Sequence, residues 1–288
     1  MIPPMKSLST VFKVRISFAI VLCAIAGMTI MPGPALPLEQ TLVLALAVFL
    51  SSSAAGAFNH FVERDLDARM PRTRNRPFVT GEFQANAQWL AVIGIILAVA
   101  VGGAAWILNV HVAAYIFLGA VVYGIVYTIW LKRRSAWNIV IGGLAGSFAV
   151  LAGAAAVNPD LSTAAILLAV TLFLWTPPHF WSLATVMQKQ YADAGVPMLP
   201  VVLGAPRAAW IILAHTIVLV LVSLLPVFYG LGPVYFAGAL IGGVYFIWRS
   251  IELVRSPEPV QARSNFKASF VQLGLLLVVA MADGAIVY

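Results

Sequence analysis

Three residues spaced by four carry the first sign of chemistry: Asn59, Glu63 and Asp67, in the stretch Asn59-His-Phe-Val-Glu63-Arg-Asp65-Leu-Asp67. On a helix, residues i and i+4 share one face. An amide and two carboxylates therefore form one oxygen stripe. Such a stripe suits Mg²⁺, which binds through one or two carboxylates, keeps waters and takes substrate phosphate oxygens. Arg72 and Arg76 follow shortly after, and guanidinium groups make forked contacts to phosphate. Carboxylates for a cation and arginines for an anion together point to a metal–diphosphate site. The stripe begins inside an apolar run, where carboxylates are costly and usually functional. Arg64, Asp65, Arg69 and Arg74 fall off the stripe and read as ordinary loop charge.

Two further stretches hold polar residues among apolar ones. Lys132, Arg133 and Arg134 are adjacent; they fit a snorkelling membrane anchor as well as a diphosphate clamp. Asn138 follows, as a helix cap or a pocket residue. The other stretch reads Trp175-Thr-Pro177-Pro178-His179-Phe-Trp181. Adjacent prolines free backbone groups and kink a helix, and inside a bilayer such a break must be lined by protein or water. His179, directly after it and between aromatics, is expected to face a pocket. His60, His111 and His215 have no such context.

The elements that must position these residues are membrane helices. Of 288 residues, 62% are hydrophobic and 9% charged, against roughly a quarter charged in a soluble domain. That excludes a soluble enzyme, a disordered chain and a nucleic-acid-binding domain. A crossing needs about 20 apolar residues. Nine windows qualify: Arg15 to Met31, Thr41 to Phe61, Gln88 to Leu108, Val112 to Leu131, Trp137 to Val157, Ala164 to Leu183, Ala208 to Tyr229, Val234 to Ile251 and Ala268 to Tyr288. The predicted fold is all-α, with the first helix retained rather than cleaved as a signal. With nine spans, all 17 Lys and Arg residues fall on one side, and the positive-inside rule makes that side, with the amino terminus, cytoplasmic. The single cysteine, Cys23, precludes an internal disulfide and reads as an inert buried thiol.

The stretch from Asn59 to Pro77 resembles the first aspartate-rich motif of the UbiA superfamily of intramembrane prenyltransferases. Nine helices with cytoplasmic motif loops also match that superfamily. Tyr127-Thr-Ile-Trp-Leu-Lys-Arg-Arg-Ser-x-x-Asn-Ile and Thr-Pro-Pro-His-Phe-Trp, followed by Tyr191 to Pro200, are similar to its protoheme IX farnesyltransferase branch. The likeness runs from about Arg15 to the end. It implies one prenyltransferase domain over 1–288 in the inner (plasma) membrane, with farnesyl diphosphate and heme B as substrates and Mg²⁺ as cofactor. By position, Asn59, Glu63 and Asp67 match the metal–diphosphate motif, and Arg72, Arg76, Lys132 and Arg133 match basic positions around the diphosphate. His179 matches the branch's histidine and is an implied heme contact, with Trp175 and Trp181 beside it. The product, heme O, serves terminal oxidases directly or through heme A, which implies a heme A synthase or an oxidase-assembly factor as partner.

The chain departs from the family pattern at His60, where an acid is common, and at Glu63, where Asp is commoner. It departs again at Gln190, where the branch has Asp before the tyrosine numbered 191 here. Asp193 is then the expected remaining metal ligand. A prenyltransferase of quinone synthesis is the alternative enzyme, opposed by the Pro-Pro-His-Phe-Trp stretch. A silent heme-binding membrane protein is the non-enzymatic alternative, favoured by the missing acid. A transporter would show repeats and mid-membrane charge.

Overall fold

The computed structural model describes residues 5–287. Eight helical stretches are long and apolar enough to cross a bilayer. They are α3 (Leu38–Val62), α6 (Ala87–Ile107), α7 (Val110–Val121) with its π-helical continuation to Leu131, and α8 (Asn138–Gly142) with α9 (Leu144–Val157). Then come α10 (Thr163–Val186), α13 (Ala205–Leu224) with a 3₁₀ turn to Tyr229, α14 (Pro233–Arg255) and α15 (Pro259–Val287). The first predicted window, Arg15 to Met31, falls on α2 (Val14–Thr29), which is preceded by α1 (Met5–Val11) and meets it at 51° as a bent pair. Four short helices lie in the loops: α4 (Arg64–Ala68), α5 (Pro77–Thr80), α11 (Gln188–Asp193) and α12 (Leu199–Leu203). The chain is an all-α, multi-pass membrane protein.

Two expectations change. The paired prolines do not interrupt their helix; α10 runs through Pro177 and Pro178. α15 begins at Pro259, well before the window at Ala268, because proline's fixed φ and missing N–H suit a first helical turn. Arg263 and Lys267 therefore lie on a helix rather than in a loop.

The long helices form two groups of four. In one, α3 packs on α6, α6 on α7, and α7 on α9; in the other, α10, α13, α14 and α15 pack in turn. α2 lies between them, against α3, α9 and α15. Its contact with α9 is close: a Cβ at Gly27 would strike the Val150 carbonyl, and one at Gly153 would strike the Ala24 carbonyl. Small residues permit such backbone approach where no hydrophobic effect operates between helices. Outward faces carry apolar side chains such as Leu221 and Ile241, while Asn59, Glu63, Asp67, Asn265 and Gln272 are buried. Polar groups thus turn inward, as hydrocarbon requires. At the end of the chain, buried Asp283 accepts from the Tyr235 N–H at 3.3 Å and from the Gly232 N–H, capping α14.

Lys13, between α1 and α2, is the only described non-glycine residue with positive φ (48°). That left-handed conformation costs roughly 1–2 kcal/mol for an L residue, and it redirects the chain at the bend.

Candidate functional site

The oxygen stripe forms, though not on one continuous helix. α3 ends at Val62, and Glu63 leaves helical geometry at φ −87°, ψ 7° before α4 begins. The i to i+4 bonds persist across the break: Glu63 N–H donates to the Asn59 carbonyl at 3.0 Å, and Asp67 N–H to that of Glu63 at 2.8 Å. Asn59, Glu63 and Asp67 therefore share one face and are 2%, 1% and 3% exposed.

Each stripe residue meets a cation from a different element. Lys132 Nζ donates to Glu63 Oε1 at 2.6 Å and Oε2 at 2.5 Å. Arg76 Nη1 donates to Asp67 Oδ2 at 2.6 Å. Lys13 Nζ donates to Asn59 Oδ1 at 2.6 Å and to the Tyr123 hydroxyl at 2.8 Å. Asn59 Nδ2 in turn donates to Thr128 Oγ1 at 3.0 Å. Burial holds the Asp67 carboxyl above the usual carboxylate range, with the Arg76 charge and hydrogen bond opposing it.

The π segment Val122–Leu131 sets this geometry. Its last turn closes five residues back, with Lys132 N–H donating to the Tyr127 carbonyl at 2.9 Å. Such wide turns are rare and concentrate at functional sites. Tyr123 and Tyr127 stack at 5.7 Å between centroids, and Phe58 lies against Gly124. These rings wall the stripe. The basic run splits here. Lys132 turns inward, whereas Arg133 forms a forked pair with Asp65 at 2.7 and 2.9 Å, with side chains 41% and 54% exposed. That hydrogen bond holds the Asp65 carboxyl below its usual range. The structure thus pairs Arg133 with an off-stripe acid, because Asp65 points outward from α4. Arg72 and Arg74 are exposed and without ion pairs among the described residues.

His179 is buried in an aromatic box on α10 and α15. Trp175 stacks on it at 4.1 Å, Phe266 tilts over it at 4.6 Å, and Phe180 and Phe270 meet it edge-on at 4.9 and 4.7 Å. Trp175 Nε1 is anchored by the Ser269 carbonyl at 2.9 Å. The Ser269 hydroxyl donates to the Phe266 carbonyl at 2.6 Å and lies 2.7 Å from His179 Nδ1. A hydroxyl has one hydrogen, so its oxygen accepts from Nδ1–H here. That assignment leaves Nε2 as the lone-pair nitrogen. Trp181 points elsewhere, fully buried against Trp137 and His215 at 5.7 and 5.0 Å. One residue at 181 rather than 182 or 183 rotates it off the His179 face.

Asp193, expected as a ligand, is exposed at the end of α11. Gln190, one turn earlier, instead has a buried Oε1 without a hydrogen-bond partner. Asn138 is no helix cap; its Nδ2 donates to the Ser135 carbonyl at 2.6 Å, while its Oδ1 is buried and unpartnered. No group of three or more His, Cys, Asp and Glu side chains gathers among the described residues. The hard oxygen donors the stripe itself offers a divalent cation are two carboxylates and the amide oxygen of Asn59, groups that suit Mg²⁺. Sequence reasoning missed Lys13 and Ser269. Lys13 sat among flanking cations and carried no signal beyond its apolar neighbours Phe12 and Val14.

The model of the UbiA prenyltransferase family matches residues 20–274. Among curated relatives, protoheme IX farnesyltransferase 2 of Paramagnetospirillum magneticum is 54% identical, covering 97% of each chain. The protoheme IX farnesyltransferase of Shewanella denitrificans is 38% identical over 94% of this chain and 90% of its own. Among solved structures, that of a digeranylgeranylglyceryl phosphate synthase superposes with a TM-score of 0.81 at 16% identity, covering 97% and 98% of the chains. A UbiA homologue from Archaeoglobus fulgidus bound to DMAPP and Mg²⁺ gives 0.72 at 16% identity, covering 94% and 99%. Fold, length and sequence agree, and the chain belongs to the UbiA prenyltransferase family.

Proposed function

We propose that this protein transfers the farnesyl group of farnesyl diphosphate to a vinyl group of heme B, making heme O. The observation that carries this reading is the buried Asn59–Glu63–Asp67 stripe faced by Lys132 and Arg76, in a chain 54% identical to a protoheme IX farnesyltransferase.

Asn59, Glu63 and Asp67 are the groups that would hold Mg²⁺. The ion would neutralise charge growing on the departing diphosphate oxygens. Lys132 and Arg76, with Arg72 at the rim, leave the carboxylates to grip the same diphosphate. The allylic C–O bond breaks and diphosphate leaves. The terminal vinyl carbon of heme bonds to the farnesyl carbon, and water adds to the resulting cation with loss of a proton. Phe58, Tyr123 and Tyr127 present ring faces that stabilise a nearby cation and keep water from it until the carbon–carbon bond has formed. His179, with Nε2 free as a lone pair and Trp175 stacked beside it, is the proposed heme contact, and its hydrogen bond to Ser269 fixes the ring as supporting groups fix metal-ligating histidines. The one-sided placement of the 17 cations supports cytoplasmic site loops in the inner membrane. A heme A synthase or oxidase-assembly factor is the proposed recipient of product.

The test is direct. The purified protein receives heme B, farnesyl diphosphate and Mg²⁺, and heme O is sought by mass spectrometry. Failure to form heme O, with prenylation of 4-hydroxybenzoate instead, would sink the reading.

A further inference from the structure

Lys13 belongs to no motif that the stripe, the basic run or the histidine stretch defines. Three independent features nevertheless direct it to the stripe. Its backbone is held at φ 48°, a conformation L residues rarely adopt, at the bend between α1 and α2. Such outliers persist where surrounding structure enforces them and cluster at functional sites. Its stem passes over Gly56 on α3, where a Cβ would sit only 3.2–3.3 Å from Lys13 carbons. Its ammonium ends on Asn59 Oδ1 and the Tyr123 hydroxyl. The glycine, the bend and the tyrosine together deliver one cation to the first oxygen of the stripe.

The charge balance gives that delivery a meaning. Arg76 and Lys132 already pair with Asp67 and Glu63, and Lys13 stands beside them on Asn59: three basic groups against two carboxylates, with no carboxylate left unpaired for an added cation. Mg²⁺ entering alone would add positive charge with no free carboxylate to balance it, and uncompensated buried charge is strongly unfavourable. A magnesium–diphosphate unit carries net negative charge, so it brings its own balance for the ion and an acceptor for the basic groups. Mg²⁺ on Asn59 Oδ1 would also displace the Lys13 ammonium, which then has diphosphate oxygen as its nearest new acceptor.

We propose that Lys13 is a diphosphate-binding residue that blocks the metal position on Asn59 until metal and diphosphate arrive together. The inference deepens the prenyl-diphosphate reading and rests on it.

The test uses the full chain in detergent with Mg²⁺ and inorganic diphosphate as probes, followed by calorimetry. Lys13→Met removes the charge at similar volume; Lys13→Arg keeps it. For Lys13→Met, affinity for Mg²⁺–diphosphate falls at least tenfold while affinity for Mg²⁺ alone rises several-fold. Lys13→Arg retains most of the diphosphate affinity. A merely structural lysine cannot produce opposite signs, so loss of both affinities together overturns the proposal, as does no change in either. If the unaltered protein fails to bind Mg²⁺–diphosphate, the prenyl-diphosphate reading itself falls, whereas binding by the unaltered protein and equal binding by Lys13→Met refutes only the role of Lys13.

Discussion

Removing Lys132 tests the internal ion pairing most sharply. Its ammonium bridges both oxygens of Glu63, at 2.5 and 2.6 Å, and the Glu63 side chain is 1% exposed against 14% for Lys132. Lys132→Met leaves a carboxylate buried without its partner. Breaking a buried pair in this way costs about 3–5 kcal/mol, whereas replacing both partners by apolar or neutral groups is often neutral. An exposed pair would cost only about 0–1 kcal/mol. Lys132→Met should therefore lose about 3 kcal/mol, and Lys132→Met with Glu63→Gln should recover most of it. Both variants should lose farnesyl transfer, since each lacks a diphosphate contact. The assay is a double-mutant cycle by denaturant unfolding in micelles, with heme O measured in parallel. A loss under about 1 kcal/mol for the single variant, or a double variant no more stable than the single, refutes the argument.

Asp67→Asn should reduce heme O formation at least a hundredfold while the protein still appears in the membrane fraction; retained turnover would remove Asp67 from the metal set. His179→Ala should raise KM for heme B more than KM for farnesyl diphosphate, and Ser269→Ala, which frees the imidazole tautomer, should do the same more weakly. Equal losses for both substrates would count against a heme contact. Arg133→Ala breaks only an exposed pair with Asp65 and should change activity less than twofold and stability by under about 1 kcal/mol; a large loss would return Arg133 to the diphosphate clamp.

Much of this was legible because hydrocarbon punishes misplaced charge. Nine apolar windows, and acids at spacings of four, are signals that composition alone carries. What was not legible depends on rotation about helix axes. Lys132 and Arg133 are adjacent and chemically alike, yet one faces Glu63 and the other Asp65. Adjacent positions on a helical turn point about 100° apart, and no residue type announces which of the two turns inward. Lys13 was hidden by the same rule that located the spans, since a basic residue before an apolar run reads as a topology marker. Asp193 and Gln190 show the converse. The acid looked like the ligand, but the buried, unpartnered oxygen belongs to the amide. The helix through Pro177 and Pro178 was also unforeseen, because neighbouring helices and local adjustments can re-satisfy the freed carbonyls.

The π turn has a consequence for how this gene product tolerates length changes. A π segment holds one residue more than an α-helix needs for each closed turn. Deleting a single residue between Tyr123 and Leu131 would let the backbone relax into ordinary α geometry, a local gain in regularity. Residues on either side of the deletion would keep nearly their present phase, because the bulge had absorbed the extra residue, whereas side chains inside the segment, Tyr127 among them, would turn by up to about 100° around the axis and leave their stack. A shorter chain here would be a better helix and a worse enzyme. Variation in length is therefore expected to be purged from this stretch, even though it is apolar and unremarkable in composition.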